Sequence, residues 1–372
     1  MRVLILADEF FASRERGLLT RLEVGLADEG VRIIHAVPNN VRAEALEGVF
    51  SQVLTYSPKT LIVTRPLAVR KLARAIAEAD VTETPTDIDI IHVFGGSVWA
   101  LGADLAVELG AGLVLEVWRS GLADRARDIR VGDHDLPLLI APDPALERLL
   151  TAGTAAAGHA TSGSPVRLAT WGVLTPAEPR EVLQPGKAPS VMLVGSGRDA
   201  HAFRAAMEGL AGIAREQPDL LLFCDALAAR RCDLWPLARK LGILHNLSLI
   251  EELEGRRDLL LQGDILMQPE ARGEQRSVIL EAMAAGMVVV AAEDPMVSVL
   301  QEGVTARLVK KSSKESWGAA LRDVVTDRDK ARQLAHSARD FVRTHRKASD
   351  HVKDVMAAYD WLMKEEPIPF KA

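Results

Sequence analysis

The stretch ILMQPEARGEQRSVILEAMAAGMVVVAAEDPMVSVLQEGVTARLV, residues 265–309, decides the fold of this chain. Its first apolar run, Ile265–Gln268, predicts a short strand, and the polar residues 270–276 predict a loop after it. Val278–Ala285 has the composition of a helix. Met287–Ala292 contains no polar residue, which is typical of a parallel strand buried on both faces. The stretch is therefore expected to fold as strand, loop, helix and strand.

Both ends of the predicted helix carry signals. Ser277 is expected to cap its start, because a serine hydroxyl can accept a hydrogen bond from a backbone N–H of the first turn. Gly286 is expected to end it, because glycine tolerates the left-handed conformation that follows a helix. Such a unit places the helix start at the carboxyl end of a strand. Ligands bind there in α/β sheets, and free N–H groups favour an anion.

Strand and helix signals also alternate through the rest of the chain. Residues 1–180 contain one such series and residues 190–347 a second. Alternation of this kind predicts two Rossmann-like α/β domains with doubly wound, mostly parallel sheets. The segment 176–189 has four prolines and one glycine, and it is expected to link the domains.

Composition excludes several classes of protein. The net charge of −6 argues against a general nucleic-acid binder. No apolar run reaches membrane-spanning length, and no signal sequence is apparent, so a cytoplasmic protein is expected. Cys224 and Cys232 form no CxxC pair and are expected to be buried thiols.

Two motifs carry a resemblance to a known family. EAMAAG at 281–286, followed by EGVT at 302–305, resembles the donor-binding segment of the retaining glycosyltransferases of family four. The resemblance is close over 190–345 and rests on the order and spacing of elements over 1–175. It implies the GT-B architecture, in which two domains face a cleft and the C-terminal helix, here 348–372, returns to the first domain. It also implies a nucleotide-diphosphate sugar as donor, with no metal and no cofactor.

The resemblance assigns donor contacts to the loop and helix of this stretch. Glu281 matches a glutamate that binds the ribose of the donor nucleotide; the alternative is a surface glutamate favoured by the helix dipole. The family's first glutamate, eight residues earlier, is replaced by Gly273, so Glu274 is the candidate catalytic contact with the sugar. The other expected donor contacts of this loop, which could instead be a solvated turn, are Gly273, Gln275, Ser277 and, as a cation beside the phosphates, Arg276.

A second donor loop is expected after the first strand of the second domain. The family has Gly-Arg there and a lysine nearby, and these cations neutralise the diphosphate. This chain has GSGR at 195–198, with Ser196 at the position of the arginine. Arg198 is therefore the candidate catalytic cation, and Gly197 a candidate donor contact. The alternative is a tight turn between a strand and a helix, because one Gly-x-Gly is weak evidence.

The first domain is expected to supply the acceptor side. Asp8 ends the first strand and should face the cleft by topology. His92 matches a family position near the cleft, although a histidine among apolar residues is also typical of a core. Trp118 stands where the family often has a histidine, and Arg119 beside it is a candidate for substrate contact.

A basic amphipathic segment occupies residues 65–79. Its cations Arg65, Arg70, Lys71 and Arg74 alternate with apolar residues. Such a helix can lie on an anionic membrane surface, which predicts a peripheral contact at the inner membrane face. It can also be a solvated helix whose apolar face packs on the sheet.

Three interpretations of function follow. The first is a metal-independent, retaining glycosyltransferase that uses a nucleotide sugar and an unidentified glycan, lipid or small-molecule acceptor. The second is a catalytically silent GT-B protein that binds a nucleotide sugar or a partner enzyme, because Gly273, Ser196 and Trp118 depart from the family pattern. The third is a sugar-nucleotide epimerase of the same architecture.

Overall fold

The chain divides into two compact units. The computed structural model describes residues 1–41, 52–58, 64–79, 87–132, 135–156 and 164–364. One unit is formed by Met1–Trp171 and Ala348–Ala372, and the other by Gly172–Lys347. Each unit is built on a parallel sheet with helices. The prediction of two Rossmann-like α/β domains is thus confirmed.

In the described part of the first unit, seven parallel strands are ordered β3-β2-β1-β4-β5-β6-β7. The strands are β1 (Arg2–Ala7), β2 (Arg32–Pro38), β3 (Gln52–Tyr56), β4 (Ile90–Phe94), β5 (Gly112–Glu116), β6 (Leu138–Ala141) and β7 (Val166–Leu168). The first six α-helices are α1 (Glu9–Arg14), α2 (Arg16–Asp28), α3 (Arg65–Glu78), α4 (Trp99–Leu109), α5 (Ala123–Asp128) and α6 (Pro144–Ala156). Every residue of β1, β4 and β6 is buried, as expected for strands covered on both faces.

The second unit has six parallel strands among its described residues, in the order β10-β9-β8-β11-β12-β13. They are β8 (Ser190–Leu193), β9 (Leu221–Asp225), β10 (Leu247–Ile250), β11 (Ile265–Gln268), β12 (Val288–Ala292) and β13 (Arg307–Val309). The α-helices are α7 (Ala200–Glu216), α8 (Ala226–Arg231), α9 (Leu234–Leu241), α10 (Arg257–Leu260), α11 (Ser277–Ala285), α12 (Lys314–Thr326) and α13 (Arg328–His345). Cys224 and Cys232 are free and buried in this unit.

The start of α11 differs from the sequence-based expectation. Gly286 ends the helix in the left-handed conformation, with φ of 85°. The N-cap residue, however, is Arg276, which makes no capping hydrogen bond with its side chain. Ser277 is instead the first helical residue, and its Oγ accepts a hydrogen bond from Nη2 of Arg257 at 3.2 Å. The Ser277 hydroxyl therefore bonds to an arginine side chain and does not cap the helix.

The boundary between the units lies earlier than the proline-rich segment 176–189. That segment belongs to the second unit, and its backbone and side chains bond to residues just before β11 and at the end of α11. Arg180 donates to the carbonyl oxygens of Leu261 and Gly263 at 2.7 and 2.8 Å. The backbone N–H of Leu183 donates to Asp264 Oδ1 at 2.9 Å. Four prolines therefore mark an ordered edge of the second unit, and the division falls between Trp171 and Gly172.

The last helix, α14 (Ala348–Lys364), belongs to the first unit. Its buried residues include Val352, Val355 and Tyr359. Val352 packs so closely against α2 that a Cβ added at Gly25 would lie 2.3 Å from its Cγ2. The predicted C-terminal segment extends to residue 372, and residues 365–372 lie outside the described part of the chain.

The basic segment forms α3, whose apolar residues Val69, Leu72 and Ile76 are buried. Two of its cations pair with carboxylates: Arg65 with Asp104 at 2.5 Å and Arg74 with Glu78 at 2.6 Å. This arrangement fits the interpretation of a solvated helix packed by its apolar face. Within the described residues, no helix combines the length and the hydropathy needed to cross a bilayer.

Candidate functional site

Three loops of the second unit leave the same edge of its sheet. β8 pairs with β11 and β11 pairs with β12, all in parallel, so the segments that follow these strands are neighbours. They are residues 194–199, 269–276 and 293–299. The carboxyl edge of a parallel sheet is where α/β proteins bind ligands. Seven of the eight donor-side residues predicted from sequence lie in these loops or at the start of α11, and Glu281 lies within α11.

The loop after β8 is held by a carboxylate from the loop after β11. Glu270 is buried, and it accepts from the backbone N–H of Ser196 at 2.5 Å, Arg198 at 2.8 Å and Asp199 at 2.9 Å. The Ser196 hydroxyl donates to the same carboxylate at 3.0 Å. Gly197 adopts φ of 70°, and a Cβ there would lie 2.7 Å from the backbone of Ala228. A glycine is thus required by both conformation and packing.

A second buried carboxylate, Glu254, holds the other side of this loop. It accepts from the backbone N–H of Gly195 at 2.8 Å and is ion-paired with Arg276. Both side chains of the ion pair are essentially inaccessible, with exposures of 0% and 1%. A charge in the interior needs such a partner, because desolvation of an unpaired ion costs several kcal/mol. The positive charge of Arg276, predicted to face phosphates, is thus committed to an internal ion pair.

The predicted sugar contact, Glu274, lies among three guanidinium groups. Nitrogens of Arg272, Arg198 and Arg276 lie 3.6, 3.9 and 3.9 Å from its carboxylate oxygens. The side chain of Glu274 is 7% exposed, whereas those of Arg198 and Arg272 are 47% and 38% exposed. The separations exceed hydrogen-bond length. The two exposed arginines can therefore turn to a bound anion.

The predicted ribose contact, Glu281, is paired with Arg257. Their Oε2 and Nε atoms are 2.6 Å apart, and both side chains are largely buried. Arg257 also donates to Ser277 Oγ and to the carbonyl oxygen of Glu254. The glutamate is therefore held in place on the helix by an ionic partner.

Gly273 and Gln275 connect the loop 269–276 to the segment that follows β12. Gly273 adopts φ of 62°, a conformation that few other residues tolerate, so the glutamate of the family pattern would be strained there. Its N–H donates to Asp294 Oδ2 at 2.6 Å, and Gln275 Nε2 donates to the carbonyl oxygen of Met296 at 2.7 Å. A small recess beside this loop is lined by Gln268, Glu270, Arg272, Glu274, Ile279, Asp294, Val297 and Leu300.

In the first unit, Asp8 caps α1. Its carboxylate accepts from the N–H of Phe11 at 3.2 Å and from Ser97 Oγ at 2.9 Å. A Cβ at Gly95 would lie 2.0 Å from this carboxyl group, so the glycine makes room for it. Burial raises the pKa of Asp8. The residue is thus a structural cap at the carboxyl end of β1.

His92 lies in a fully buried polar cluster. Its Nδ1 is 2.8 Å from the Tyr359 hydroxyl, and its Nε2 is 3.3 Å from Glu116 Oε2. Trp171 Nε1 donates to Glu116 Oε1 at 2.6 Å. Burial lowers the pKa of His92 from 6.5 to about 3 and raises that of Glu116 from 4.5 to about 8. Burial therefore favours the neutral form of each group, although their spacing is that of an ion pair. The histidine belongs to the core, the second of the two alternatives.

Trp118 and Arg119 follow this cluster along the chain. The Trp118 ring stacks on Phe10 with centroids 4.5 Å apart, and Arg119 lies 5.3 Å from the Trp118 centroid. A cation over an indole ring is attracted by the negative face of the ring. The half-buried Arg119 is thus oriented by the tryptophan that replaces the histidine of the family pattern.

Sequence reasoning missed five charged residues of the second unit. One is Arg272, which lies beside Glu274. The other four are Glu254, Arg257, Glu270 and Asp294, and each bonds to a residue at least 20 positions away. Glu270 alone had a local signal, since it follows Pro269 at the end of a predicted strand. Glu254 and Arg257 lie in short helices and Asp294 in a loop, none of them with a sequence pattern of its own, and only the neighbouring strands bring them to the site.

Comparison with known families bears on the same unit. Residues 218–341 match the family model described as Glycosyl transferases group 1. The second unit carries a glycosyltransferase domain. This match confirms the expectation of a glycosyltransferase that was based on the EAMAAG motif. Membership of family four and a retaining outcome stay predictions. No curated protein matches the chain by sequence.

Solved structures share the whole architecture at low identity. HepE of Anabaena, solved with UDP and glucose, is 14% identical with a TM-score of 0.70, over 97% of this chain and 100% of HepE. WaaG, a glycosyltransferase involved in lipopolysaccharide biosynthesis, is 15% identical with a TM-score of 0.66, over 98% and 100%. A putative UDP-N-acetylglucosamine 2-epimerase from Listeria monocytogenes is 13% identical with a TM-score of 0.62, over 99% of each chain. These likenesses establish the GT-B fold.

Proposed function

We propose that the protein transfers a sugar from a nucleotide-diphosphate donor bound at the carboxyl edge of the second sheet. Glu281 contacts the ribose, Glu274 contacts the sugar, and the diphosphate lies near Arg198 and Arg272. The observation that carries this proposal is the placement of Glu274. A carboxylate at the end of a loop, beside two half-exposed guanidinium groups, offers an acceptor for sugar hydroxyls next to cations for phosphates.

The chemistry required of such a site is mainly electrostatic. When the bond from the anomeric carbon to the phosphate oxygen breaks, negative charge grows on the diphosphate. The start of α11 contributes about 0.3–2 kcal/mol toward an anion, which is small beside the barrier lowering an enzyme needs. Guanidinium groups that can reach the leaving oxygens supply the rest without a metal ion. Metal independence and retention of configuration are part of the proposal, and the acceptor stays open.

The test is a thermal-shift screen followed by a product assay. Nucleoside diphosphates and their sugars should raise the melting temperature if they bind only the folded state, by an amount that grows with concentration. The stabilising nucleotide sugar is then incubated with cell-extract acceptors, and transfer of the labelled sugar is measured. Stabilisation by no nucleotide across the panel would defeat the proposal. The anomeric configuration of a purified product decides between retention and inversion.

A silent binding protein is the second candidate. The observation in its favour is that Arg276 and Glu281 already have ionic partners, Glu254 and Arg257, inside the unit. Such ion pairs can maintain the geometry of a nucleotide-binding site in a protein that does not catalyse sugar transfer. Binding of a nucleotide sugar with no transfer to any acceptor would favour this candidate. Conversion of the donor to an epimer without acceptor would instead favour the epimerase, an architecture that the Listeria protein shares.

Peripheral membrane contact is proposed for α3. Leu67 is 68% exposed and lies beside the exposed Arg70 and Lys71, which suits an anionic lipid surface. The test is co-flotation with vesicles containing phosphatidylglycerol. Loss of flotation in Arg70→Glu, Lys71→Glu would support the contact, and equal flotation of this variant and the parent would refute it.

A further inference from the structure

The loop 195–199 has the form of an anion cradle, but the protein fills it with its own carboxylates. Successive N–H groups in a turn before a helix attract anions, and phosphate-binding loops use them. Here four of the five backbone N–H groups donate to a carboxylate: Gly195 to Glu254, and Ser196, Arg198 and Asp199 to Glu270. The loop is followed by the 17-residue helix α7, whose dipole adds to the attraction.

Because the carboxylates occupy the backbone N–H groups of this loop, a phosphate nearby must be bound by other groups. Amides that are bonded to Glu270 at 2.5 to 2.9 Å are not open to a ligand. Among the described residues, the cationic side chains at this edge include the half-exposed Arg198 and Arg272, and also Arg231, which donates to the carbonyl oxygen of Ser196. Arg198 has its backbone N–H on Glu270 and its guanidinium directed toward Glu274. The carboxylate of Glu270 therefore fixes the point from which the Arg198 side chain extends.

We propose that Glu270 is a positioning residue for donor binding. Its carboxylate acts as a built-in anion that holds the loop 195–199 and sets the direction of Arg198, so that the diphosphate binds to the side chains of Arg198 and Arg272 outside the cradle. The inference rests on the proposed function, because it assigns the place of the donor's diphosphate.

Displacement of Glu270 by the diphosphate is the competing arrangement, and packing disfavours it. Glu270 is 5% exposed, and even a Cβ added at Gly195 or Gly197 would lie 2.7 Å from Glu270 or Ala228, respectively. A phosphate in the cradle would have to move a buried charge into a space that has no room for it. The two arrangements predict opposite effects of removing the Glu270 carboxylate on UDP affinity: weaker binding if Glu270 positions Arg198, and tighter binding if Glu270 competes with the diphosphate.

The experiment compares four proteins: the parent, Glu270→Ala, Arg198→Ala and the double variant. UDP affinity is measured by calorimetry, and pyrophosphate serves as a probe that does not depend on the base. Melting temperatures are recorded in sodium acetate and in sodium chloride of equal ionic strength. Glu178→Ala removes an exposed glutamate of the same unit and is the matched control.

We expect Glu270→Ala to weaken UDP binding about tenfold or more, the scale of a lost hydrogen bond to a charged group. In the Arg198→Ala background the same change should cost little further affinity, since Glu270 acts through Arg198. Acetate should raise the melting temperature of Glu270→Ala and restore part of its affinity by occupying the vacant cradle. It should leave the parent and Glu178→Ala unchanged.

Two results would overturn the inference. Unchanged UDP affinity in a Glu270→Ala protein of lowered melting temperature would mean that Glu270 only supports the fold. Tighter UDP binding would mean that the cradle is itself the phosphate site and that Glu270 competes for it. A parent protein that binds pyrophosphate but no nucleoside diphosphate would defeat the proposed function, while the pyrophosphate measurements would still decide the role of Glu270.

Discussion

Single residues around the candidate donor site fall into two energetic classes. Arg276 and Glu254 are buried partners, and removal of one leaves an uncompensated charge in the interior. Arg198 and Arg272 are half exposed, and their distances of 3.6 to 3.9 Å from Glu274 indicate weak attraction. The same substitution, arginine to alanine, should therefore give a stability defect in one class and a functional defect in the other.

Arg276→Ala should lower the free energy of unfolding by about 3–5 kcal/mol, the range found when one partner of a buried ion pair is removed. Arg272→Ala, in the same loop, should change it by less than about 1 kcal/mol, as for exposed pairs. Urea denaturation of the two variants and the parent measures the difference. Equal stabilities would show that Glu254 finds another partner, or that the pair is worth little.

Arg198→Ala should lower kcat by more than it raises KM for the donor. Its charge matters most when the diphosphate is leaving, so the lost interaction is larger in the transition state than in the ground state. Steady-state kinetics with the nucleotide sugar found in the screen give both constants. A variant with unchanged kcat and raised KM would assign Arg198 to binding alone.

Glu281→Ala should weaken UDP binding by about 1–3 kcal/mol, as expected for loss of a hydrogen bond to a charged group. Glu281→Gln keeps one acceptor oxygen and should lose less. Because Arg257 loses its charged partner in both variants, melting temperatures must be recorded beside the calorimetry. UDP affinity equal to that of the parent in both would rule out the ribose contact.

Sequence reasoning found fewer than half of the charged residues at this site. Glu281 and Glu274 stand next to a helix with a clear motif, so local spacing identified them. Glu254 and Glu270 bond to residues 59 and 74 positions away, and no periodicity in a single sequence predicts contacts of that length. The cap predicted at Ser277 was wrong, and the ion pair of Arg276 was missed, for the same reason, since their partners Arg257 and Glu254 were not foreseen.

At the scale of elements, parallel pairing explains why the site forms. The strands β8, β11 and β12 are neighbours in the sheet, and each ends at the same edge. The alternating apolar runs predicted these strands, and parallel pairing follows from helical crossovers between them. The domain boundary was harder to predict, because prolines at 176–189 resemble a linker while Arg180 and Leu183 bond the segment to the second unit.

The contact between α2 and α14 provides a test at this scale. A Cβ at Gly25 would lie 2.3 Å from Val352, so Gly25→Ala should destabilise the protein by about 1–3 kcal/mol through overpacking. Val352→Ala makes room for the new methyl group, and the double variant should be more stable than the sum of the single changes predicts. Thermal or urea denaturation measures the three variants.

Gly212→Ala is the control for this pair. Gly212 lies within α7 with open space around the added Cβ, so alanine should stabilise the protein by about 0.5–1 kcal/mol. If Gly25→Ala were also stabilising, the close packing of α14 on α2 would be refuted. If the stability changes of Gly25→Ala and Val352→Ala were strictly additive in the double variant, the two residues would act independently and the predicted contact between them would not be supported.

Across the whole molecule, the fold could be predicted because the same sequence pattern, an apolar strand, occurs many times. The site depends instead on individual contacts that occur once. The thirteen strands in the described residues are parallel, and most of them are buried apolar runs that can be recognised alone, β3, β7 and β10 being more exposed. The cluster of Glu116, His92 and Tyr359 has no such redundancy. It joins β5, β4 and α14, which are far apart in the chain, and places two titratable groups in a core without solvent.

This cluster should make the stability of the protein depend on pH in a defined window. The folded pKa of Glu116, about 8, exceeds the unfolded value of 4.5, so the folded state holds the proton more tightly. Its contribution to stability is present below pH 4.5 and is lost as pH rises toward 8, by about 1.4 kcal/mol per unit. Burial lowers the pKa of His92 from 6.5 to about 3, so this residue makes the protein less stable as pH falls, and it does so only below pH 6.5. Between pH 6.5 and 8 the effect of Glu116 is therefore unopposed by His92.

Glu116→Gln should remove the loss of stability between pH 6.5 and 8. A glutamine amide imitates the protonated acid, because it can donate to His92 Nε2 and accept from Trp171 Nε1. Urea denaturation at pH 6.5, 7.2 and 8 should show the parent losing stability relative to Glu116→Gln as pH rises. Glu108→Gln, which changes an exposed glutamate of α4, should follow the parent. Parallel curves for the parent and Glu116→Gln would mean that Glu116 is already ionised at pH 6.5, and the buried cluster would then be an ion pair and not a neutral network.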